Sequence, residues 1–351
     1  APYAVAHMKL AMVLSDTGYE FESEKRLNVY LTNSLEEPGN SDGQLTLWSD
    51  PLATESIAAN AVKKNTGIGI VIGNPPYSIS SSNRGEWILN MISDYKQGLN
   101  EKKVNLDDDY IKFIRFGQYI VQKSGTGILA YISNNSFLDG ITHREMRRQL
   151  LEIFDKVYIL NLHGNSKRKE VAEDGGKDEN VFDIQQGVSI NIFVLSSKSK
   201  AGRVFSYDLF GTREYKYEFL RTHALDDIPF DELSPSAPNY FFIPKDFSNA
   251  QKYTQGFAID ELMPLGSSGI QTKNDSLAIH YEEEKVEEVQ RDFQCETRSF
   301  LVEKYGLKDS AGWKIDNAIQ DIRESHSSIE RILYRPYDWR YVLYTNNSSG
   351  F

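Results

Sequence analysis

A run of β-branched residues that stops at two prolines constrains this chain more than any other feature of its sequence. Residues 67–73 read Gly-Ile-Gly-Ile-Val-Ile-Gly, a pattern typical of a buried strand, and residues 74–77 read Asn-Pro-Pro-Tyr. Each proline fixes its own φ angle and lacks an N–H donor, so a strand cannot continue through them. The sequence therefore predicts a buried strand with a rigid turn at its carboxyl end.

Predicted strands and helices alternate around this feature. Apolar residues recurring at the helical period predict helices over 3–15, 53–64, 107–123 and 142–154. Short apolar runs predict further strands over 28–32, 128–132 and 156–162. Alternation of this kind is typical of a doubly wound α/β sheet with parallel strands.

The character of the sequence changes in its second half. Two close apolar runs, 187–195 and 203–207, first suit a hairpin on the sheet edge, which would make the sheet mixed. Prolines then interrupt the chain and the β/α alternation is lost, although residues 281–293 read as an acidic helix. We therefore predict a first domain over 1–208 and a second, α+β domain over 209–351.

The charge of the chain leaves its partners open. The net charge of −11 argues mildly against nucleic acid, but phosphate binding depends on local clusters of basic residues. Such clusters occur at Arg144, Arg147 and Arg148, and at Lys167 and Arg168. The alternative interpretation is a solvated helix face followed by a charged loop, which charge alone favours.

Composition excludes several other classes of protein. A single cysteine, Cys295, rules out a disulfide framework and fits a reducing cytoplasm. The six histidines are scattered and none forms an H-x-x-x-H pair, so we predict no metal site. No apolar run approaches the length of about 20 residues that a membrane span requires.

The residue types of the Asn-Pro-Pro-Tyr segment suit chemistry on an aromatic amine. Asn74 offers a side-chain carbonyl and Pro75 a backbone carbonyl, which can accept hydrogen bonds from the two N–H groups of an amine. Pro75 and Pro76 hold these acceptors rigidly, and Tyr77 offers a flat face on which a base can stack. The alternative interpretation is a strand that ends in a proline turn with a packing tyrosine.

At these residues the sequence resembles the adenine-specific, S-adenosylmethionine-dependent DNA methyltransferases. More narrowly, it resembles the methylase region of the Type ISP and Type IIG single-chain restriction-modification enzymes. The further segments that carry the resemblance are 1–10, 29–35, 110–113, 128–138, 188–193 and 334–341. The resemblance implies transfer of a methyl group to the N6 amine of an adenine flipped out of double-stranded DNA.

The resemblance also assigns roles to individual residues. It places Asn33, where the family usually has Asp, and the adjacent Ser34 against the cofactor adenine, with Phe113 as the aromatic residue that packs on it. It implies that Phe193 packs on the flipped base beside Tyr77. The alternative interpretation of Phe113 and of Phe193 is a phenylalanine packed in the core. Arg335 and Arg340 fall in the target-recognition region, where they either bind DNA or form structural ion pairs.

Two cofactor-binding features of the family are missing. The sequence has neither the glycine-rich loop after the first strand nor the acidic ribose-binding residue after the second. The resemblance therefore implies a methyltransferase sheet that lacks its first strands, with an upstream part of the same polypeptide as a partner. Alternatives are a protein-glutamine or RNA amino-methyltransferase, and a non-catalytic DNA-binding fragment.

Overall fold

The computed structural model describes residues 2–20, 27–39, 51–65, 67–77, 81–101, 106–168, 170–172, 175–196, 202–266, 269–310, 312–347 and 351. They form two compact units, Ala1–Ser248 and Asn249–Phe351. The division falls after Ser248 and not after residue 208, because Asp231–Leu233 adds a strand to the first sheet and Phe242 is buried in the first core. None of the described helices has the length and apolar character needed to span a bilayer.

The elements of the first unit follow the predicted alternation. Its described helices are α1 (Pro2–Asp16), α2 (Pro51–Asn65), α3 (Glu86–Ser93), α4 (Asp109–Ser124), α5 (Arg144–Ile153) and α6 (Arg213–Thr222). Its described strands are β1 (Ile70–Gly73), β2 (Gly127–Asn134), β3 (Lys156–His163), β4 (Val188–Leu195), β5 (Arg203–Asp208) and β6 (Asp231–Leu233). The four predicted helices are confirmed, as are the predicted strands at 128–132 and 156–162. The strand predicted over 67–73 forms at Ile70–Gly73, but its predicted burial is wrong, because Ile70 and Ile72 are 65% and 80% exposed at the edge of the sheet.

The six strands form one mixed sheet in the order β1-β2-β4-β3-β5-β6. The pairs β1–β2 and β3–β5 are parallel, whereas β4 runs antiparallel between β2 and β3. Strands β1, β2, β3 and β5 therefore share one direction, and their carboxyl ends lie along the same edge. In an open α/β sheet this edge is where ligands bind.

The predicted hairpin of 187–195 and 203–207 is wrong. Both runs are strands, but β4 lies at the centre of the sheet and β5 pairs with β3. The cause is burial, because β4 carries no charged residue and Ser189, Asn191 and Phe193 are fully buried. A strand of this kind is stabilised at the centre of a sheet and not at its edge.

The predicted strand over 28–32 is also wrong, since residues 27–33 have irregular backbone. Backbone N–H and C=O groups form a strand only beside a partner strand. Among the described residues, β1 pairs only with β2, so no strand on its outer side offers such a partner.

Helix α4 packs directly on the sheet through a glycine. A Cβ atom at Gly117 would lie 2.4 Å from Leu129 Cδ1 of β2, so a larger residue would require the Leu129 side chain to shift. Tyr110, Ile114 and Val121 of the same helix join Leu129 in the main core. This packing fixes α4 beside β1 and β2, where the candidate site lies.

A buried ion pair fixes the long loop between β3 and β4. Lys216 and Asp178 have fully buried side chains, with Lys216 Nζ 2.7 Å from Asp178 Oδ1. The ammonium group also donates to two backbone carbonyls, so all three of its donors are used. Asp178 accepts from the backbone N–H groups of Gly164 and Gly211, which ties the loop to the ends of β3 and β5.

The second unit has its own core. Its described helices are α7 (Ala250–Thr254), α8 (Ile259–Leu262), α9 (Asp275–Ala278), α10 (Glu283–Cys295), α11 (Arg298–Tyr305) and α12 (Ile315–Glu324). Strands β7 (Ile279–His280), β8 (Ser328–Arg335) and β9 (Asp338–Tyr344) form an antiparallel sheet in the order β7-β9-β8. The predicted acidic helix is confirmed as α10, whose Val289 and Phe293 pack in this core.

We expect Lys216→Met to lower the free energy of unfolding by about 3–5 kcal/mol, because the carboxylate of Asp178 then stays buried without its counter-charge. Urea denaturation measures the change. The matched control is Lys177→Met, which removes an exposed ammonium group from its pair with Glu179 and should leave the midpoint unchanged. Equal effects of the two substitutions would contradict a structural role for the buried pair.

Candidate active site

The Asn-Pro-Pro-Tyr segment leaves the sheet at its carboxyl edge. Gly73, the last residue of β1, lies opposite Tyr131 of β2. Of the residues that follow, Asn74 and Pro76 are exposed and Pro75 is buried. No described residue forms a hydrogen bond with the side chain of Asn74, so its amide group is available to another molecule.

Tyr77 is held against the sheet while part of its ring stays accessible. It is half-buried, and its hydroxyl lies 3.4 Å from the carbonyl oxygen of Ile132. Burial raises the pKa of Tyr77 to about 12, so the phenol stays protonated at neutral pH. Its ring centroid lies 5.8 Å from that of Phe182. The two rings form an aromatic wall beside the exposed Asn74.

Phe182 is a candidate residue that the sequence analysis missed. It lies in the loop between β3 and β4, and its backbone N–H donates to Asn180 Oδ1 at 2.8 Å. Arg213 donates to the carbonyls of Asn180 and Phe182 at 2.8 and 3.0 Å. These bonds hold the loop so that the Phe182 ring faces Tyr77. The available signal was an aromatic residue shortly before a buried strand, inside a long charged loop.

The assignment of Phe193 to the flipped base is wrong. Its side chain is fully buried in the main core, where its ring lies 5.3 Å from that of Phe154. A base cannot reach it without disrupting the sheet. The strand pattern could not reveal this, since it does not show that β4 is central.

Of the predicted cofactor residues, Ser34 lines a cavity beside β1. This cavity has a volume of about 370 Å³ and is also lined by Tyr30, Phe116, Ile70 and Ile72. Phe113 lies one turn before Phe116 on α4 and packs partly against the main core. The cavity therefore combines aromatic rings with a hydroxyl group, which suits the face and edge of an adenine ring.

Asn33 is exposed next to this cavity, and its side chain is held by neighbours. Its amide nitrogen donates to Glu36 Oε1 at 3.1 Å and to Asn83 Oδ1 at 2.9 Å. Its Oδ1 accepts from the backbone N–H of Leu35. Asn83 in turn donates to Asp109 at the start of α4. The network orients Asn33 and leaves its Oδ1 with one lone pair for another donor.

Arg147 is not available to bind DNA, contrary to the prediction. Its side chain is fully buried and its guanidinium donates to the carbonyls of Phe137, Gly140, Asn239 and Tyr240. Burial lowers the pKa of Arg147 to about 10, which still leaves it charged at neutral pH. It acts as a structural clamp between segments far apart in sequence, a role that a cluster of basic residues does not indicate.

The other basic residues predicted to bind DNA in the first unit differ in how accessible their charges are. Arg144 pairs with Glu101, and Arg148 pairs with Glu145 and Glu152. Lys167 and Arg168 are exposed, and Arg168 lies 3.7 Å from Asp139. Of this group, Lys167 and Arg168 have the most accessible charges.

In the second unit, Arg335 and Arg340 have different environments. Arg335 is exposed. The Arg340 guanidinium lies 4.2 Å from the Tyr281 ring centroid and 4.1 Å from that of Tyr334. It also pairs with Asp338 at 2.8 Å. Arg340 is therefore a structural brace, which matches the ion-pair alternative, whereas the exposed Arg335 has its guanidinium 5.4 Å from the Tyr334 ring centroid.

A polar network extends along the same carboxyl edge. Asn135 donates to Asn161 Oδ1 at 3.0 Å, and Asn161 donates to Asp208 Oδ1 at 2.9 Å. His163 Nε2 lies 2.7 Å from Asp208 Oδ1, and its ring stacks on Phe210 at 3.8 Å. The network joins the ends of β2, β3 and β5 and so stabilises the edge that carries the site.

Comparison with known families finds similarity to the methylase region of restriction-modification systems. Residues 1–167 match the family described as Eco57I restriction-modification methylase. Residues 261–350 match the Type ISP C-terminal specificity domain. Residues 1–167 are therefore similar to the Eco57I-type methylases and residues 261–350 to the Type ISP specificity domains, and the predicted resemblance is confirmed. A comparison with curated proteins finds no match.

Solved structures share this fold. DrdV in a complex with DNA is 25% identical with a TM-score of 0.63, and covers 97% of this chain and 36% of its own. A nuclease-deletion mutant of the Type ISP enzyme LlaGI, in complex with a DNA substrate mimic, is 21% identical with a TM-score of 0.64. That match covers 97% of this chain and 30% of LlaGI. The predicted fold class is confirmed, and the chain spans about a third of the length of these relatives.

We expect the contribution of His163 to stability to decrease as pH rises. Burial opposes its charge, but hydrogen bonds with Asp208 and Glu170 outweigh burial and raise the pKa of His163. The stabilisation is then complete below the unfolded value of about 6.5 and is lost as pH rises through the higher folded value. His163→Asn removes the titrating group, and asparagine tolerates the left-handed backbone at φ +50°.

Urea denaturation of parent and His163→Asn between pH 6 and pH 9 measures this effect. The difference in unfolding free energy should be larger at pH 6 than at pH 9. A difference that does not change with pH would show that the His163–Asp208 contact carries no ionic contribution.

Proposed function

We propose that this chain supplies the catalytic edge and a specificity domain of a DNA methyltransferase that modifies the N6 amine of a flipped adenine. The observation that carries the proposal is the free, exposed amide of Asn74 beside the aromatic wall of Tyr77 and Phe182. The match to restriction-modification methylases and the DNA complexes of DrdV and LlaGI support DNA as the substrate.

The side chains at this edge suit methylation of an aromatic amine. Such an amine is a poor nucleophile because its lone pair is delocalised into the ring. Asn74 Oδ1 and the carbonyl oxygen of Pro75 can accept hydrogen bonds from the two N–H groups of the amine. These bonds favour a tetrahedral geometry at the amine nitrogen and so localise its lone pair. The nitrogen would then bond to the methyl carbon as the S–CH3 bond of the sulfonium breaks and leaves a neutral thioether, and it would release one proton to solvent. The two prolines keep both acceptors in place, so little reorganisation is needed.

The aromatic wall offsets the cost of removing the base from the duplex. An extruded base loses its pairing and stacking, and a stack on an aromatic side chain recovers part of that free energy. Tyr77 and Phe182 are each half-buried, so one part of each ring is anchored and another part is accessible. We expect the flipped adenine to pack on this wall with its amine at Asn74.

S-adenosylmethionine would supply an electrophilic methyl group bound to a sulfonium. The cavity beside β1 fits its adenine ring, with Phe116 and Tyr30 as aromatic surfaces and Ser34 as a polar contact. Asn33 can accept a hydrogen bond from the adenine amine, in place of the usual Asp. Phe113 lies on the preceding turn of α4, where it packs partly against the main core. We propose that the glycine-rich loop and the ribose-binding acid come from sequence outside residues 1–351.

We expect Asn74→Ala, made in the intact protein, to lower methyl transfer to DNA by about 10²- to 10³-fold or more, as is typical when a positioned polar group is lost. DNA affinity should stay near that of the parent, because one exposed amide contributes little to the whole interface. Transfer from labelled cofactor and duplex binding measure the two effects. Asn90→Ala, an exposed asparagine on α3, is the matched control.

The same assay separates the candidate substrates. Transfer to DNA but not to RNA or protein supports the proposal. Transfer to protein glutamine or to RNA instead would replace it with the corresponding amino-methyltransferase. Binding of DNA with no transfer to any substrate would favour a non-catalytic DNA-binding role.

Alanine substitutions at Phe182 and Phe193 should affect different properties, base capture for Phe182 and stability for Phe193. Phe182→Ala removes half of the aromatic wall and should weaken base capture by about 1–3 kcal/mol, with a smaller loss of stability than truncation of a fully buried ring causes. Phe193→Ala creates a cavity in the core and should lower the free energy of unfolding by about 3–5 kcal/mol. Fluorescence of 2-aminopurine at the target position reports base extrusion. Unchanged fluorescence with Phe182→Ala would remove this residue from the proposed wall.

A further inference from the structure

The tip of the β8–β9 hairpin carries an unusual tyrosine. In the strand register, Arg335 of β8 lies opposite Asp338 of β9, so Pro336 and Tyr337 form a two-residue loop. Tyr337 has a φ angle of +68° and is 99% exposed. After a proline at the first turn position, the second position with positive φ normally takes glycine or asparagine. The hairpin thus holds the bulky Tyr337 side chain at a backbone conformation that is sterically unfavourable for any residue other than glycine or asparagine.

Nothing within the described residues compensates for this strain. The Tyr337 side chain makes no hydrogen bond, ring contact or ion pair with them. Full exposure also means that its ring gains nothing from burial. A strained, exposed aromatic residue with no internal contact points to a contact with another molecule.

The surface next to Tyr337 combines aromatic rings with cations. Leu333 and Trp339 lie opposite each other in register and are 54% and 51% exposed. The Arg331 guanidinium lies over the Trp339 ring, 4.9 Å from its centroid. No carboxylate among the described residues lies within 4.0 Å of the guanidinium groups of Arg331 or Arg335.

This chemistry fits nucleic acid better than an apolar protein partner or a membrane. Phosphates pair with guanidinium groups that have no carboxylate partner, and sugars and bases pack on flat aromatic rings. A two-stranded β ribbon is also narrow enough to enter the major groove of B-form DNA. The braced Arg340, held by Tyr281 and Asp338, keeps the hairpin rigid behind its tip.

We propose that the tip of the β8–β9 hairpin enters a groove of the DNA duplex. Tyr337 packs on a sugar or base surface, while Arg331 and Arg335 meet flanking phosphates. The proposal rests on DNA as the substrate and adds to it the element and side chains that make this contact. It assigns Tyr337 to binding and not to chemistry at the amine.

The test uses Tyr337→Gly in the intact protein, since glycine relieves the backbone strain and keeps the turn. We expect the melting temperature to equal or exceed that of the parent. The Kd for duplex DNA containing the target site should rise by about 5- to 50-fold, the range for loss of one aromatic stack. Tyr337→Phe should bind like the parent. Tyr253→Ala is the control, because Tyr253 is 87% exposed in the same unit.

Salt dependence tests the two arginines separately. Arg335→Gln and Arg331→Gln should each reduce the slope of log K against log salt concentration by about 0.9, one phosphate contact, whereas Tyr337→Gly should leave the slope unchanged. Parental affinity of Tyr337→Gly for DNA would overturn the hairpin proposal alone. Absence of duplex binding by the parent would overturn the proposed function as well. A change in oligomeric state with unaltered DNA binding would assign the tip to a protein contact and also overturn the proposal.

Discussion

The parallel pairing of β1 with β2 is the constraint on which the rest of the site depends. It aligns Gly73 with Tyr131, and a Cβ atom at Gly73 would lie 3.1 Å from the Tyr131 ring. The chain then leaves the sheet at the carboxyl edge, because Pro75 and Pro76 lack the N–H groups that a continuing strand would need. The hydroxyl of Tyr77 returns to the carbonyl of Ile132 on β2. Asn74 is thus presented to solvent by a strand that cannot shift without breaking this register.

The second half of the site depends on a buried charge. The loop between β3 and β4 brings Phe182 to Tyr77, and a loop of this length would lose much conformational entropy if only its ends were fixed. Lys216 and Asp178 hold it from inside, with their hydrogen-bonding groups used by backbone atoms. The position of the aromatic wall therefore depends on the buried Lys216–Asp178 ion pair, which is not itself part of the wall. Stability and base capture are expected to be coupled through this loop.

Local features could be predicted from the sequence, and long-range ones could not. The strand before Asn74 and the helix α4 follow from β-branched runs and helical periodicity, which are properties of neighbouring residues. The place of β4 in the sheet depends on partners up to 68 residues away, so local patterns predict a hairpin there and do not decide whether Phe193 is accessible. The structural role of Arg147 is hidden from sequence patterns for the same reason. The carbonyls of Asn239 and Tyr240 that accept its hydrogen bonds lie some 90 residues further along the chain. Phe182 is identified only when the loop is folded.

The most direct test of the account is photochemical cross-linking from the target base. A duplex in which 5-iodouracil replaces the target adenine is bound by the intact protein and irradiated, and the modified peptide is sequenced by mass spectrometry. The account predicts a cross-link at Tyr77 or Phe182, because both rings contact the extruded base. A cross-link confined to the second unit, or none at the carboxyl edge of the first sheet, would contradict the claim that this edge receives the base.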